Sequence, residues 1–322
     1  MKVDPDYLTT LAETTEFQPA NLEKVVRLGS LVAQLSVHPF LSQVLVLKGG
    51  TALNLCYSEP RRLSVDLDFN YVGRQDRAGM LEQRPDVEHA VRRLVSGAGY
   101  PVQQSADEHA GRKYYLQFRN AYGTKDRIEL DLNFLHRVPL GSSEERNLWQ
   151  PRGLTAPSVR VVAEEELWAG KLCALLARSA PRDLWDAARL PKQAPKVWGS
   201  KRFRRLFLAM AGTLDHPLHA YGLDRLDRVT EATVAEQLHP VLRASDRPTA
   251  AELRSAAWGV VGPMVELDHE ERKYTDLLQH GTLWPELLFP DDEEMAARVS
   301  QHPALCWKAE NARAHARGRA RS

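Results

Sequence analysis

The chain has 322 residues, of which 43% are hydrophobic and 26% are charged, as in one large globular domain or two modest ones. Its formal net charge of +1 gives no sign of nucleic-acid binding by the molecule as a whole, so a basic surface must come from local clustering. Three separated cysteines, Cys56, Cys173 and Cys306, argue against a disulfide framework and a CxxC zinc site. No apolar run approaches the roughly 20 residues of a membrane span, and we expect a cytoplasmic protein.

The N-terminal part of the chain shows a helical pattern followed by a short strand. Apolar residues recur near helical spacing through residues 5–43, until Pro39 interrupts them. The continuous apolar run Val44–Leu47 is typical of a buried strand. We expect a turn at Lys48–Thr51 and a helix over residues 52–57.

Strand and helix patterns then alternate as far as a polar segment. Alternating apolar and polar residues predict a strand at 65–71, and an amphipathic pattern predicts a helix at 85–98. Two further strands, 114–118 and 128–135, are expected on either side of a turn at 122–125. The polar stretch 141–157, rich in Gly, Ser and Pro, is where we place a domain boundary, and residues from 162 onward are nearly all helical in pattern.

Three aspartates on the predicted strands are candidate metal ligands. Asp66 and Asp68 are two residues apart, which on a strand places both carboxylates on one face. Asp131 has the same polar phase on a later strand, and neighbouring strands would bring the three together. Adjacent carboxylates repel unless a cation lies between them, and divalent ions held this way assist phosphoryl chemistry. A bare DxD pattern also fits a solvated strand face.

Residues on either side of these carboxylates are candidates for phosphate binding. Gly49, Gly50 and Thr51 lie between a strand and a helix, where glycine permits close approach and free N–H groups favour an anion. The alternative is a plain tight turn. Ser64, two residues before Asp66, has a hydroxyl that could bond a γ-phosphate oxygen, or it ends a loop before the strand.

A lysine in the helical half has two interpretations. Lys171 lies on or beside the apolar face of a predicted helix, so its ammonium either extends to water or has an anionic partner such as a nucleotide phosphate. Asp183 and Asp186, three residues apart, share the face of a second helix. They either support the site, with Asp183 the better candidate, or cap the helix or pair with Arg182 and Arg189.

Four motifs in this order resemble the AbiEii/AbiGii-type nucleotidyltransferase toxins, a group that includes the mycobacterial MenT toxins. The resemblance covers roughly residues 40–190, and its specificity lies in the order and spacing of the motifs. They are Lys48–Leu53, Arg62–Phe69, Ile128–Leu135 with Arg137–Leu140, and Lys171 followed by Arg182–Asp186. One departure is Val65, where family members often carry an acidic residue; we expect it to alter the rim of the site and not the metal ligands.

The resemblance implies an α+β fold of the DNA polymerase β type, a small mixed sheet with helices, followed by a helical domain. We expect a nucleotidyltransferase domain at 1–150, a helical domain at 151–309 that contributes Lys171 and Asp183 to the site, and a flexible basic tail at 310–322. The tail could also touch RNA phosphates. Asp66, Asp68 and Asp131 would bind Mg²⁺ or Mn²⁺. The NTP would be bound by residues 48–51, namely Lys48, Gly49, Gly50 and Thr51, together with Ser64 and Lys171.

The same resemblance implies transfer of NMP from an NTP, with release of pyrophosphate, to the 3′ acceptor end of tRNA, which would block translation. A cognate antitoxin is expected, and Ser64 resembles the serine that kinase-like antitoxins modify in some members. Two alternatives remain at this stage. The acceptor could be a protein side chain, or the chain could be a nucleotide or RNA sensor without turnover, which the filled acidic positions disfavour.

Overall fold

The computed structural model describes residues 2–106 and 110–319, with side chains described as far as residue 316. These residues form two compact units. The first contains residues 1–137, 142–163 and 238–247, and the second contains 138–141, 164–237 and 248–322. The predicted mixed sheet with helices, followed by a helical region, is confirmed.

Among the described residues, seven strands form a mixed sheet at the centre of the first unit. The strands are β1 (Leu45–Lys48), β2 (Leu67–Tyr71), β3 (Val102–Gln104), β4 (Gly111–Arg119), β5 (Lys125–Asn133), β6 (Glu144–Asn147) and β7 (Ser158–Val161). Their order in the sheet is β3-β4-β5-β2-β1-β7-β6. Strands β1 and β2 are antiparallel, whereas β2 pairs in parallel with β5 and β1 pairs in parallel with β7.

Alternation along β4 and β5 separates a buried face from an open face of the sheet. Tyr114, Leu116, Ile128, Leu130 and Leu132 are fully buried. The residues between them are exposed or half-buried. This period of two is what a strand with one face in the core and one in solvent requires.

In the described part of the first unit, five helices accompany the sheet: α1 (Pro5–Thr15), α2 (Pro19–Ser36), α3 (Leu41–Val44), α4 (Gly49–Cys56) and α5 (Arg77–Gly97). Asp76 caps the start of α5, since its carboxylate accepts from the Gly79 N–H, and the helix runs through Pro85. The amphipathic sequence pattern predicts a helix that starts only at Pro85. The predicted start is therefore wrong, and Pro85 lies inside the helix.

The second unit is helical. It contains α6 (Glu164–Arg178), α7 (Pro181–Gln193), α8 (Pro195–Trp198), α9 (Lys201–Ala211), α10 (Glu231–Gln237), α11 (Ala250–Val265), α12 (His269–Gln279), α13 (Glu293–Ser300) and α14 (Pro303–Arg319). Asp268 and Thr249 each form a capping box at the start of their helices. Among the described residues, no helix is long and apolar enough to span a membrane.

Three segments differ from the expected domain organisation. The segment 142–163 belongs to the first unit, because β7 pairs with β1 inside the sheet and β6 forms its edge. Residues 238–247 also return to the first unit, where Leu63 donates its N–H to the carbonyl of Val241 at 2.8 Å. At the C-terminus α14 continues to Arg319, so residues 310–319 are helical where a flexible tail was expected; residues 320–322 lie outside the described part.

Candidate active site

A row of four charged residues crosses the open face of the sheet. Lys48 on β1 is the register partner of Asp68 on β2. Asp68 is in turn the register partner of Asp131 on β5, and Asp131 is the register partner of Lys113 on β4. Register partners on adjacent strands point to the same face of a sheet. We call Lys48, Asp68, Asp131 and Lys113 the charged row; two carboxylates lie at its centre and a lysine at each end.

The lysines and the carboxylates of this row influence one another. Burial raises the pKa of Asp131 above its usual value; Lys48 and Lys113 oppose this shift, and Asp68 and Glu129 add to it. The Lys113 ammonium lies 3.8 Å from Asp131 and 4.0 Å from Glu129. Burial lowers the pKa of Lys113, but Glu129 and Asp131 outweigh it and the net shift is upward. The centre of the row therefore favours a cation.

Asp66 is placed differently from the prediction. Strand β2 begins at Leu67, so Asp66 lies in a bend just before it, and the strand-face argument applies directly to Asp68 only. The fully buried Thr51 hydroxyl donates to the main-chain carbonyl oxygen of Asp66. Thr51 thus fixes the main chain that carries Asp66, and this contact links the start of α4 to the start of β2.

Gly49 brings the start of α4 against the carboxylate of Asp68. The helix begins at Gly49, directly after β1, and not at Ala52 as expected. Gly49 has a φ of +72°, and a Cβ at this position would overlap the Oδ2 atom of Asp68. Glycine is therefore required here for two independent reasons, backbone conformation and space. The N–H groups of the first turn of α4 lie beside the charged row, as an anion site needs.

Two buried polar residues lie on either side of Asp68 in the sequence. Ser64 is 6% exposed and lies two residues before Asp66 in the sequence. Asn70 lies two residues after Asp68, on the same face of β2, and it is 4% exposed. Its Oδ1 atom lacks a hydrogen-bond partner among the described residues. Its register partner Asn133 accepts hydrogen bonds from the N–H groups of Leu135 and His136.

The residues fit a divalent cation that shares its ligands with substrate. Within residues 2–106 and 110–319, no three Asp, Glu, His or Cys side chains form a ready-made metal cage. Mg²⁺ is commonly bound by one or two carboxylates together with substrate phosphates, and not by an all-protein cage. Adjacent, partly exposed Asp68 and Asp131 meet that requirement, and Asp66 lies in the bend just before β2.

In the second unit Lys171 has anionic protein partners. Its ammonium lies 2.9 Å from Asp186 and 3.5 Å from Asp183, and Arg178 forms a two-pronged pair with Asp183 at 2.7 and 3.0 Å. Both aspartates are almost fully buried. Burial acts to raise the pKa of Asp183, but Lys171 and Arg178 lower it below its usual value. A catalytic role for Lys171 and Asp183 stays a prediction.

Sequence analysis missed three participants in these clusters. Lys113 and Glu129 lie on the open face of β4 and β5, and their alternation with buried residues was the available signal. Lys113 was overlooked because only register makes it the neighbour of Asp131. Arg178, at the end of α6, was passed over because its partner Asp183 lies on the next helix.

Comparisons with known proteins identify the family and the fold of the chain. The family model described as "Nucleotidyl transferase AbiEii toxin, Type IV TA system" matches residues 30–257, which is more than half of the chain. A comparison with curated protein sequences gives no match. Among solved structures, the chain is similar to MenT4, nucleotidyltransferase toxin Rv2826c from Mycobacterium tuberculosis H37Rv, with a TM-score of 0.61 and 22% identity over 92% of this chain and 98% of that one.

A second structural match is too weak to support any conclusion about this chain. It is the E. coli MS115-1 CdnC:HORMA-deltaN complex, at a TM-score of 0.25 and 12% identity over 93% of this chain and 98% of that one. The MenT4 match supports the fold, and the family match covers both the charged row and the Lys171 cluster. The chain therefore belongs to the AbiEii nucleotidyl transferase toxin family of type IV toxin–antitoxin systems.

Proposed function

We propose that this toxin transfers NMP from an NTP to the 3′ acceptor end of tRNA, releases pyrophosphate and so blocks translation. The observation that carries the proposal is the charged row, in which two adjacent carboxylates lie between two lysines and beside the glycine-started helix α4. Membership of the family supports nucleotidyl transfer, and the tRNA acceptor comes from the resemblance described above.

Each part of the site has a distinct task in this reaction. The N–H groups at the start of α4 and the ammonium of Lys48 hold the triphosphate, since both attract anions. The 3′ hydroxyl oxygen of the acceptor attacks the α-phosphorus, and the bond from that phosphorus to the bridging oxygen breaks. Pyrophosphate leaves with that oxygen, and the hydroxyl proton passes to a carboxylate or to solvent. Positioning of the two reactants supplies much of the rate.

Asp68 and Asp131, with Asp66 beside them, would hold Mg²⁺ or Mn²⁺. When bound, the cation supplies neutralisation of the charge that develops on the triphosphate and the departing pyrophosphate. Without a cation the carboxylates face the triphosphate with like charge. Thr51 contributes indirectly, because its hydroxyl fixes the main chain of Asp66.

Incubation of the purified toxin with each labelled NTP and total tRNA tests the proposal. We expect label on tRNA in Mg²⁺ or Mn²⁺, none with EDTA, and none with the Asp68→Ala variant. Mapping the label to the 3′ end would identify the acceptor hydroxyl. A parallel reaction with cell protein but no tRNA tests protein side chains as acceptor. Label on protein alone would overturn the tRNA proposal, and no label on either would overturn nucleotidyl transfer.

Antitoxin control of Ser64 is a separate hypothesis. A phosphate on Ser64 would place about two negative charges next to the carboxylates and would compete with the triphosphate. Because the serine is only 6% exposed, its modification requires local opening of the segment before β2. Mass spectrometry of the toxin co-expressed with its antitoxin decides; an unmodified Ser64 in a neutralised toxin would exclude this mechanism and leave the catalytic assignment intact.

A further inference from the structure

The open face of the β4–β5 hairpin becomes basic with distance from the carboxylates. Its outward residues on β4 are Lys113, Tyr115, Gln117 and Arg119, and those on β5 are Asp131, Glu129, Arg127 and Lys125, in register from the charged row to the turn. The acidic residues are confined to the end that carries the row. We call Lys113, Tyr115, Gln117, Arg119, Lys125 and Arg127 the basic strip.

We propose that the basic strip binds the phosphate backbone of the acceptor RNA and leads its 3′ end to the carboxylates. This inference rests on the proposed function, which it deepens by naming the surface that holds the acceptor. The whole chain has a formal net charge of +1, so this concentration of positive charge is local and not a property of the molecule. RNA binding of this kind depends on cationic contacts to phosphates.

The strip also offers ring surfaces suited to unpaired bases. The Arg127 guanidinium lies over the ring of Tyr115, 5.0 Å from the ring centre, and the Tyr122 side chain at the hairpin tip is 51% exposed. Cationic groove and aromatic platform together are the usual means of binding single-stranded nucleic acid. From Lys113 to Arg119 the strip extends about 20 Å at about 3.3 Å per residue, which is enough for several nucleotides.

Contacts on the other face of the hairpin hold the strip in place. The Ala121 N–H donates to the buried carboxylate of Glu23 at 2.8 Å, and Lys24 pairs with Asp126 at 2.8 Å. Arg27 lies over the ring of Phe118, 4.1 Å from its centre. All three contacts come from α2, so the hairpin is fixed to the unit that carries the charged row. A preordered surface loses less entropy on binding.

A cavity of about 770 Å³ opens beside the distal end of the strip. Arg119, Lys125 and Arg127 of the strip line it together with Tyr100. Arg27, Phe118 and Asp126 line it from the side of α2, so four cations face one carboxylate. This recess could admit a base or a turn of the backbone, whereas a flat protein partner would leave it empty. Its basic lining favours RNA over an apolar protein segment as the occupant.

Charge reversal with a matched control tests the strip. The double variant Lys125→Glu/Arg127→Glu changes two exposed residues of the strip. The control Arg92→Glu/Arg93→Glu changes the net charge equally on α5, which packs against the buried face through the Tyr114 hydroxyl and the Glu88 carbonyl. We expect the strip variant to raise the KM for tRNA at least about tenfold, with kcat at saturating tRNA within about twofold of the parent.

Direct binding of unmodified tRNA supplies a readout independent of transfer. For the strip variant, a plot of the logarithm of the tRNA association constant against the logarithm of the salt concentration should have a slope shallower by about 1.4. This change corresponds to the loss of two single-strand phosphate contacts. Tyr122→Ala should weaken binding about tenfold, and Tyr122→Phe should restore it, since stacking needs the ring and not the hydroxyl. Thermal unfolding and binding of a labelled NTP should be unchanged in all four variants.

The outcomes separate this inference from the proposed function. If the parent labels protein but not tRNA, nucleotidyl transfer to tRNA fails, and the binding experiment still decides whether the strip holds RNA. Equal KM and equal tRNA binding for the strip and control variants would overturn the strip. Loss of neutralisation by the antitoxin, with tRNA binding intact, would overturn it too and identify a protein-binding surface.

Discussion

The two units each contain a cluster of aspartates and lysines, and the clusters differ in how much charge they have already satisfied. In the first unit Asp131 is partly exposed, and its nearest ammonium, on Lys113, is 3.8 Å away and itself 46% exposed. In the second unit Asp183 and Asp186 are almost fully buried, and Lys171 lies 2.9 Å from Asp186. Arg178 gives Asp183 a further partner at 2.7 Å.

This difference leads us to expect that the two clusters contribute differently to activity and to stability. A buried charge is tolerated only when partners compensate its loss of hydration, so the second cluster is complete without a ligand. The charged row places two carboxylates side by side with loosely held lysines, and the pKa of Asp131 is raised by burial. An incompletely compensated group in an accessible position is a candidate for function, whereas a compensated buried one contributes to folding.

The largest expected effect is the loss of NMP transfer when a carboxylate of the charged row is removed. Asp68→Ala should reduce NMP transfer more than about 100-fold, since even outer partners of metal ligands contribute about 10–100-fold. The fold should survive, because the carboxylate is partly exposed. Labelled NTP incorporation and thermal unfolding measure the two quantities. Asp86→Ala, an exposed change on α5, is the control; similar activity in both variants would remove Asp68 from the site.

Removing the ammonium of Lys171 from the buried cluster in the second unit should lower the stability of the fold. Lys171→Met leaves Asp183 and Asp186 buried without their shared ammonium, and breaking a buried pair lowers the free energy of unfolding by about 3–5 kcal/mol. Lys113→Met, the matched change in the row, should lower it by less than about 1 kcal/mol because that pair is exposed. Urea unfolding of both variants gives the comparison. Equal losses would show that burial does not separate the two clusters.

Gly49 tests how closely α4 must approach the row. Gly49→Ala adds a methyl group against Asp68 and strains a residue with a φ of +72°, so we expect transfer to fall about 10–100-fold and unfolding free energy to fall by about 1–3 kcal/mol. Gly153→Ala has a φ of +91° but no heavy atom within 4 Å of the added carbon. It controls for strain alone. Activity loss in both variants would mean that proximity to Asp68 is not the cause.

The smallest effect concerns acid stability. Because the pKa of Asp183 is lowered in the folded protein, its contribution to stability is present above the unfolded value of about 3.9 and is lost as pH falls through the lower folded value. Asp183→Asn should therefore make the Tm less dependent on pH below about 4 than it is in the parent. Tm measured from pH 6 to pH 2.5 tests this. Parallel curves would show that other carboxylates control acid unfolding.

Local patterns identified most of the elements that carry the site. Alternation located the strands that became β2, β4 and β5, and the apolar run located β1, with shifts of a few residues at their ends. Short polar strands escaped detection. Strand β6 reads Glu144–Asn147 without an apolar residue, because an edge strand exposed to solvent needs no buried face.

The order of the motifs was enough to place the chain in its family, and it made Asp66, Asp68, Asp131 and Gly49 candidates for the site. Sequence alone could not show that Asp68 and Asp131 are register partners, that Lys113 is the next neighbour, or that Lys171 has anionic partners of its own. Those facts depend on strand order and helix packing between residues distant in the chain. Residue type and spacing are local properties, but the charge that remains uncompensated is decided by the neighbours that tertiary structure supplies.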